Sequence, residues 1–185
     1  MTFGERVVGA LKLDANTFED IERDPNAMGQ AVAIIALVAL AGSLGSLWRL
    51  GIGTMIVSML AALVGYVLWA VVVWLVGTKV MPDPATKADF PEAFRVIAFA
   101  SAPGFLNVVS IIPFLGWLLV FLVMPIVWLW SMAAMVVAVR AVLDYTDTFK
   151  AVVVVIIGFV AYLIFWGTMA MMAFGAAAVG GVLSS

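Results

Sequence analysis

Residues Asp89–Gly116, DFPEAFRVIAFASAPGFLNVVSIIPFLG, decide how this chain folds. The stretch opens on a polar helix start. Asp89 and Glu92 stand at capping-box spacing, with Asp in the place of the usual Ser or Thr. Within about one turn the run becomes apolar. Pro103-Gly104 then falls inside it, and Pro113 breaks it again. No ionisable residue follows Arg95 before Gly116, so the two breaks read as kinked packing rather than as an active site. The expected structure is a kinked membrane helix over about residues 93–110, a short turn at Ile111–Pro113, and a long apolar helix beyond it.

The composition around this stretch agrees. Of 185 residues 66% are apolar, and mean hydropathy is +1.22, where soluble domains are about half apolar. No single soluble core of this length could bury that much hydrocarbon, so one membrane domain is expected. The net charge of −2, with no basic patch interleaved with aromatics, argues against nucleic acid. Without cysteine there is no disulfide, thiolate nucleophile or zinc-thiolate site. Without histidine the usual general base and the commonest metal ligand are missing too. The expectation is a protein that is not an enzyme and carries no cofactor or metal.

Five apolar segments, about residues 30–48, 54–77, 93–110, 114–139 and 149–174, are long enough to span. The fold class is therefore all-α: a polytopic membrane protein with five transmembrane helices and a short N-terminal amphipathic helix. Residues 1–24 form a cytosolic segment and 25–185 the membrane domain, whose first span is expected to serve as its own uncleaved insertion signal. In the N-terminal segment Phe3, Val7, Val8 and Leu11 recur at helical spacing, and Phe18 with Ile21 makes a second stripe. These suit packing on the membrane surface or on the bundle; docking of a partner is the sharper alternative. Asp24-Pro25 marks a helix start. Arg49, Gly51 and Gly53 form a tight reversal with Trp48 as interfacial anchor. The Pro-containing turns at Asp83-Pro84 and Phe90-Pro91 make Lys79–Glu92 an ordered loop. Arg140 and Asp144 are spaced to pair on a helix, and Asp147 or Thr148 caps the last span. The small, uncharged tail after Phe174 either extends that helix or frays.

Charge sets the expected orientation. With the N-terminus inside, Arg6, Lys12, Arg23, Lys79, Lys87, Arg95, Arg140 and Lys150 lie inside, and Arg49 alone lies outside. By the positive-inside rule the N-terminus is cytoplasmic and the C-terminus outside.

Two groups of residues are candidate sites. Within the spans, Ser101, Pro103, Gly104, Asn107, Pro125 and Ser131 are the polar or kink positions. Each proline frees a carbonyl that needs a donor, from Ser101, Ser131 or a neighbouring helix. No acid or base joins them at mid-span, so helix-to-helix bonding is favoured over a substrate path. A continuous polar cavity at Ser101, Asn107 and Ser131 would favour transport; a dry bundle would favour a scaffold. On the cytoplasmic face, Asp83, Lys87, Asp89, Glu92, Arg95, Arg140 and Asp144 are candidate contacts, where the N-terminal stripe, the Lys79–Glu92 loop and the Arg140–Lys150 turn come together. Small residues at contact spacing, Gly42, Gly45, Ala61, Gly65, Ala173, Ala177 and Gly181 among them, allow close packing inside the chain or a homo-oligomer seam. Met169, Met171 and Met172 suit adaptable packing better than Cu(I).

Three runs carry a family likeness: FEDIERDPNAMGQAVAIIALVAL before and into the first span, F-x-E-A-F-R-V-x-A-F-A-x-A-P at the third, and AVLDYTDTFKAVVVVII at the last. With them the chain resembles, over most of its length, the Yip family of Ypt/Rab-interacting membrane proteins in its prokaryotic form. The resemblance implies five spans with a cytosolic N-terminus, a bacterial inner or plasma membrane, and no catalytic residues. Eukaryotic members act in vesicle traffic and bind prenylated GTPases. Their Asp-Leu-Tyr-Gly-Pro motif is absent here, where the chain reads Glu22-Arg23-Asp24-Pro25, so GTPase binding is not carried over. The implied role is a non-enzymatic scaffold or membrane-organising factor, in contact with the bilayer and with a protein partner or a second copy. A passive channel or small-molecule transporter, or an accessory subunit of a larger complex, is the alternative.

Overall fold

The computed structural model describes residues 1–112 and 116–183. These residues form α1 (Phe3–Leu11), α2 (Ala15–Arg23), α3 (Ala27–Leu75) ending in a π-helical turn (Val76–Val80), α4 (Phe90–Ala100), a 3-10 segment (Ala102–Ile111), α5 (Gly116–Val142) and α6 (Thr148–Leu183). No strand occurs among the described residues. The break expected at Pro113, the side chains of Trp48, Arg49, Ala173, Ala177 and Gly181, and residues 184 and 185 lie outside the described part. The backbone of the small-residue tail continues α6 as far as Leu183.

Four stretches are long and apolar enough to cross a bilayer: Ala27–Leu47, Leu50–Val80, Phe121–Val142 and Thr148–Met172. α4 and the 3-10 segment together make a fifth, bent by 46°. The chain is thus an all-α polytopic membrane protein. On its outer faces Ile56, Val57, Leu60 and Val64 of α3, Leu129 of α5 and Leu163 and Ile164 of α6 are exposed. In lipid such positions face solvent of their own kind, and helix-to-helix contact needs only the inward stripe.

α3 is two arms joined at Gly51, whose φ of 84° and ψ of 175° belong to glycine alone. The arms fold back on each other: Gly104 sits between Val38 of the first arm and Tyr66 of the second. Neighbouring contacts set the directions. Val38 meets Gly104 and Gly45 meets Ser110, so the first arm runs parallel to the bent pair. Gly65 meets Tyr162 and Trp69 meets Gly158, so the second arm runs antiparallel to α6. The bent pair therefore advances along the bundle beside the first arm.

The third apolar segment is not one kinked α-helix. α4 stops at Ala100 because Pro103 has no N–H to continue the ladder, and the chain tightens into 3-10 geometry. Ser101 Oγ donates to Ala98 O at 2.6 Å, one of the carbonyls left over at the helix end. Pro125, by contrast, is carried inside α5 without ending it. The capping box at α4 forms: Asp89 Oδ1 accepts from Glu92 N at 2.7 Å and Glu92 Oε2 from Asp89 N at 2.8 Å.

The core is a layer of small and β-branched side chains around Phe99, near the N-terminal end, including Ile34, Ala98, Val139, Val142 and Val154, all fully buried. α1 and α2 belong to it. Phe18 and Ile21 have no exposed surface, and Phe3, Val7 and Leu11 pack against the same layer. Val8 does not share that stripe and is exposed. Gly9 lets the two helices meet, since a Cβ there would collide with the Thr17 side chain.

Replacing Gly51 by Ala should cost about 1–3 kcal/mol, because the backbone there is open to glycine alone. Gly53→Ala, in open helix two residues on, should be neutral or mildly stabilising by up to about 1 kcal/mol. Thermal unfolding of the two variants in the same detergent checks the contrast.

Candidate functional site

Two places gather the candidate residues. The first is the N-terminal end of the bundle. Leu11 O at the end of α1, and Ile21 O and Glu22 O at the end of α2, lie past the last helical N–H groups, and the bundle supplies donors for all three. Trp130 Nε1 of α5 donates to Leu11 O at 2.9 Å. Arg95 Nε of α4 donates to Ile21 O at 3.2 Å, and Arg95 Nη2 donates to Glu22 O. A guanidinium at a helix C-terminus is favoured by the helix dipole as well. Arg95 is only 4% exposed, so its charge is engaged within the fold.

Arg6 is buried even more fully and ties α1 to α2 and to the start of α3. Its Nε donates to Asp20 Oδ2 at 2.9 Å, Nη1 to Gln30 Oε1 at 2.9 Å and Nη2 to Asp24 Oδ2 at 2.6 Å. The neighbouring guanidinium holds the Asp24 carboxyl below its ordinary range. Asp24 therefore does two jobs. Oδ2 takes Arg6, and Oδ1 accepts from Asn26 N at 2.9 Å ahead of α3.

The loop expected over Lys79–Glu92 is shorter, residues 81–89, because the π-helical turn takes Lys79 and α4 takes Glu92, and it is tied to the turn before α6. Thr86 Oγ1 donates to Leu143 O at 2.6 Å, Tyr145 Oη donates to Met81 O at 2.6 Å, and Lys150 pairs with Asp83. Asp147 Oδ1 accepts from Phe149 N at 2.8 Å and caps α6. Arg140 does not pair with Asp144 as their spacing suggests. α5 ends at Val142, Asp144 takes a left-handed φ of 51°, and Arg140 Nε donates to Tyr145 O at 3.3 Å instead. Of the expected surface contacts, Lys87, Asp89, Arg140 and Asp144 are exposed, whereas the Asp83 side chain is largely buried and Arg95 is internal.

Glu22 is not singled out by spacing. Burial, then the facing carboxylates Asp144 and Glu92, push its carboxyl up to about 7, with Arg23 opposing and Glu19 adding to the rise. Only the fold brings α2, α4 and the Asp144 turn to one point, so no local motif could have marked it.

The second place is a cavity of about 790 Å³ between the second arm of α3, the 3-10 segment, α5 and α6. Its polar lining comprises Tyr66, Ser101, Asn107, Ser131 and Tyr162, so the three residues expected to mark a transport path do share one space. The rest is apolar, dominated by Phe121, Met124, Trp128, Met132, Met135 and Phe159, with Pro125 and Gly104 also in the wall. Among the described residues no charged side chain lines it. Pro103 is buried beside Gly104, outside the lining. A smaller cavity of about 290 Å³ shares Asn107 and Met124 and reaches Ser46, Leu50 and Ser110. Trp69 rests on Tyr162 and Phe159, with ring centroids 5.2 and 6.3 Å away.

A comparison with protein families matches residues 9–182 to the Yip1 domain. No curated protein and no solved structure matches the chain significantly.

The pH dependence of stability should carry the mark of Glu22. Its carboxyl is higher in the folded chain, at about 7, than the ordinary 4.5 of an unfolded one. Its contribution is therefore fully present below 4.5 and lost as pH rises through about 7. Glu22→Gln should unfold at a higher temperature than the parent at a pH of about 8, and the gap should close by a pH of about 5. Asp14 and Asp24, held low by their hydrogen bonds, act on the acid side in both proteins and cancel in the comparison. Unfolding scans over that range read the difference directly.

Proposed function

The chain belongs to the Yip1-domain family of membrane proteins, and from that premise we propose that it is a non-enzymatic scaffold or membrane-organising factor working through the N-terminal end of its bundle. The observation that carries the reading is the construction of that end. Arg6, Arg95 and Trp130 lock α1 and α2 onto the spans, and hydrogen bonds lock the Lys79–Glu92 loop to the Asp144 turn. A surface held this firmly presents Lys87, Asp89, Arg140 and Asp144 in one arrangement, so a partner binds it without first ordering it.

The charge distribution supports placing this end in the cytoplasm and the C-terminus outside, with the bent pair counted as one crossing. The small-molecule reading draws support from the cavity, which collects Ser101, Asn107 and Ser131. Its mostly apolar, uncharged wall suits a lipid-like ligand better than an aqueous solute.

In this cysteine-free chain, Ala85→Cys and Ser184→Cys should react with an impermeant maleimide from opposite faces of sealed vesicles. Reaction from the same face would refute five crossings. For the scaffold role, a photo-crosslinking amino acid at Lys87 in native membranes should give discrete protein adducts, while the same probe at lipid-facing Val57 should give lipid adducts. Arg140→Glu should lower the yield at Lys87 on the order of tenfold if charge guides the partner. A Lys87 probe that captures only lipid would remove the scaffold reading.

A further inference from the structure

The larger cavity has a polar end and an apolar length. At Gly104 a Cβ would lie 3.8 Å from both Tyr66 Oη and Asn107 Nδ2, so those two groups converge over bare backbone. Ser101 is three residues back on the same wall, where its carbonyl accepts from Gly104 N at 2.8 Å. Neither the Tyr66 hydroxyl nor the Asn107 amide nor the Ser131 hydroxyl has a side-chain hydrogen bond among the described residues, although all three line the cavity. Inside a bilayer no water reaches an unpaired donor or acceptor, so leaving it without a partner is costly. Three such groups facing one space point to a ligand that supplies the missing partners.

The rest of the wall sets the shape of that ligand. Phe121, Met124, Trp128, Ser131 and Met135 follow one stripe of α5 over four turns, about 21 Å of helix. Phe121 is 74% exposed, and Met124 and Trp128 are exposed beside it, so the apolar length opens sideways to the hydrocarbon of the membrane. A molecule reaching the cavity by that side comes from the bilayer. The volume of about 790 Å³ falls within the range of small-molecule sites, roughly 300–1,000 Å³, and is small for a two-chain phospholipid. The absence of any charged lining residue disfavours an ionised head, which would go unpaired in low dielectric.

We propose that this cavity binds a single-chain, uncharged amphiphile taken from the bilayer. Its hydrocarbon tail lies along the α5 stripe, and its hydroxyl- or amide-bearing head bonds to Tyr66 and Asn107 beside Gly104. This goes beyond the scaffold reading and does not rest on it. The docking face is Lys87, Asp89, Arg140 and Asp144, none of which lines the cavity, so each can fail alone.

The test uses the full chain in phosphatidylcholine nanodiscs with a diazirine-bearing long-chain monoacylglycerol. Photolabelling should saturate and map to the α5 stripe and Phe159, and unlabelled monoolein should displace it. Free glycerol should not compete, and oleate at a pH of about 8 should compete at least about tenfold more weakly. Asn107→Leu keeps the size but removes the hydrogen bonds, and should weaken labelling about tenfold without lowering the unfolding temperature. Ser131→Phe should put a ring in the middle of the α5 stripe, where the tail would lie, and lower labelling sharply. If Ser131→Phe does not fold, Asn107→Leu decides. Labelling spread evenly over outward positions such as Val57 and Leu163, competition by glycerol equal to that by monoolein, or unchanged labelling in Asn107→Leu would each overturn the proposal.

Discussion

Two short helices that carry charges and end in unpaired carbonyls must join an apolar bundle, and the guanidinium of Arg95 makes that join possible. A helix terminus pressed against hydrocarbon-rich packing has no water to satisfy it, so the bundle must provide donors. Arg95 reaches Ile21 O and Glu22 O from α4, and Trp130 reaches Leu11 O from α5. Arg6 then neutralises the acids this arrangement brings close, Asp20 and Asp24. The buried core layer of Phe18, Ile21, Ala98, Phe99 and Val139 forms beneath those bonds. Its apolar burial is favourable only because the polar ends above it are satisfied.

The opposite condition holds in the membrane part. There the 3-10 segment, with Gly104 pressed on Val38 and Ser110 facing Gly45, leaves no room for a tidy row of side chains between α3 and α5. Helices close ranks where a small residue on one makes room for the bulk of the other. Gly65 against Tyr162 and Gly158 against Trp69 bring α3 and α6 together on one side. On the other side the bent pair, turned by 46° at Ala100, packs against α5, and the cavity lies where the 3-10 segment, α5, α6 and the second arm of α3 meet.

Much of this was legible in the order of residues. Asp89 and Glu92 announced the start of α4, Gly51 the reversal in α3, and Asp147 the start of α6, because caps and left-handed turns are local chemistry. The apolar stretches were legible for the same reason. Other features misled or stayed silent. Arg140 and Asp144 have helical spacing, yet the helix ends between them, and spacing implies nothing once φ changes sign. Arg95 looked like a surface charge at a helix start. Its burial depends on α2, more than seventy residues earlier, folding back across it. Glu22 carried no motif, and its carboxyl is raised first by burial and then by Asp144 and Glu92, which the turn before α6 and α4 contribute.

Hydropathy, charge and capping residues act over a few positions, so the sequence by itself determined an all-helical membrane chain, the approximate spans, and where several of them begin. The tertiary structure alone decided that α1 and α2 cap the bundle, that the third span breaks into a bent pair, and that Tyr66, Asn107 and Ser131 share one cavity. Each of those outcomes depends on which donor meets which acceptor, or which glycine meets which ring, across segments far apart in the chain. Such meetings are set by packing the helices against one another, and no local pattern of residues encodes them.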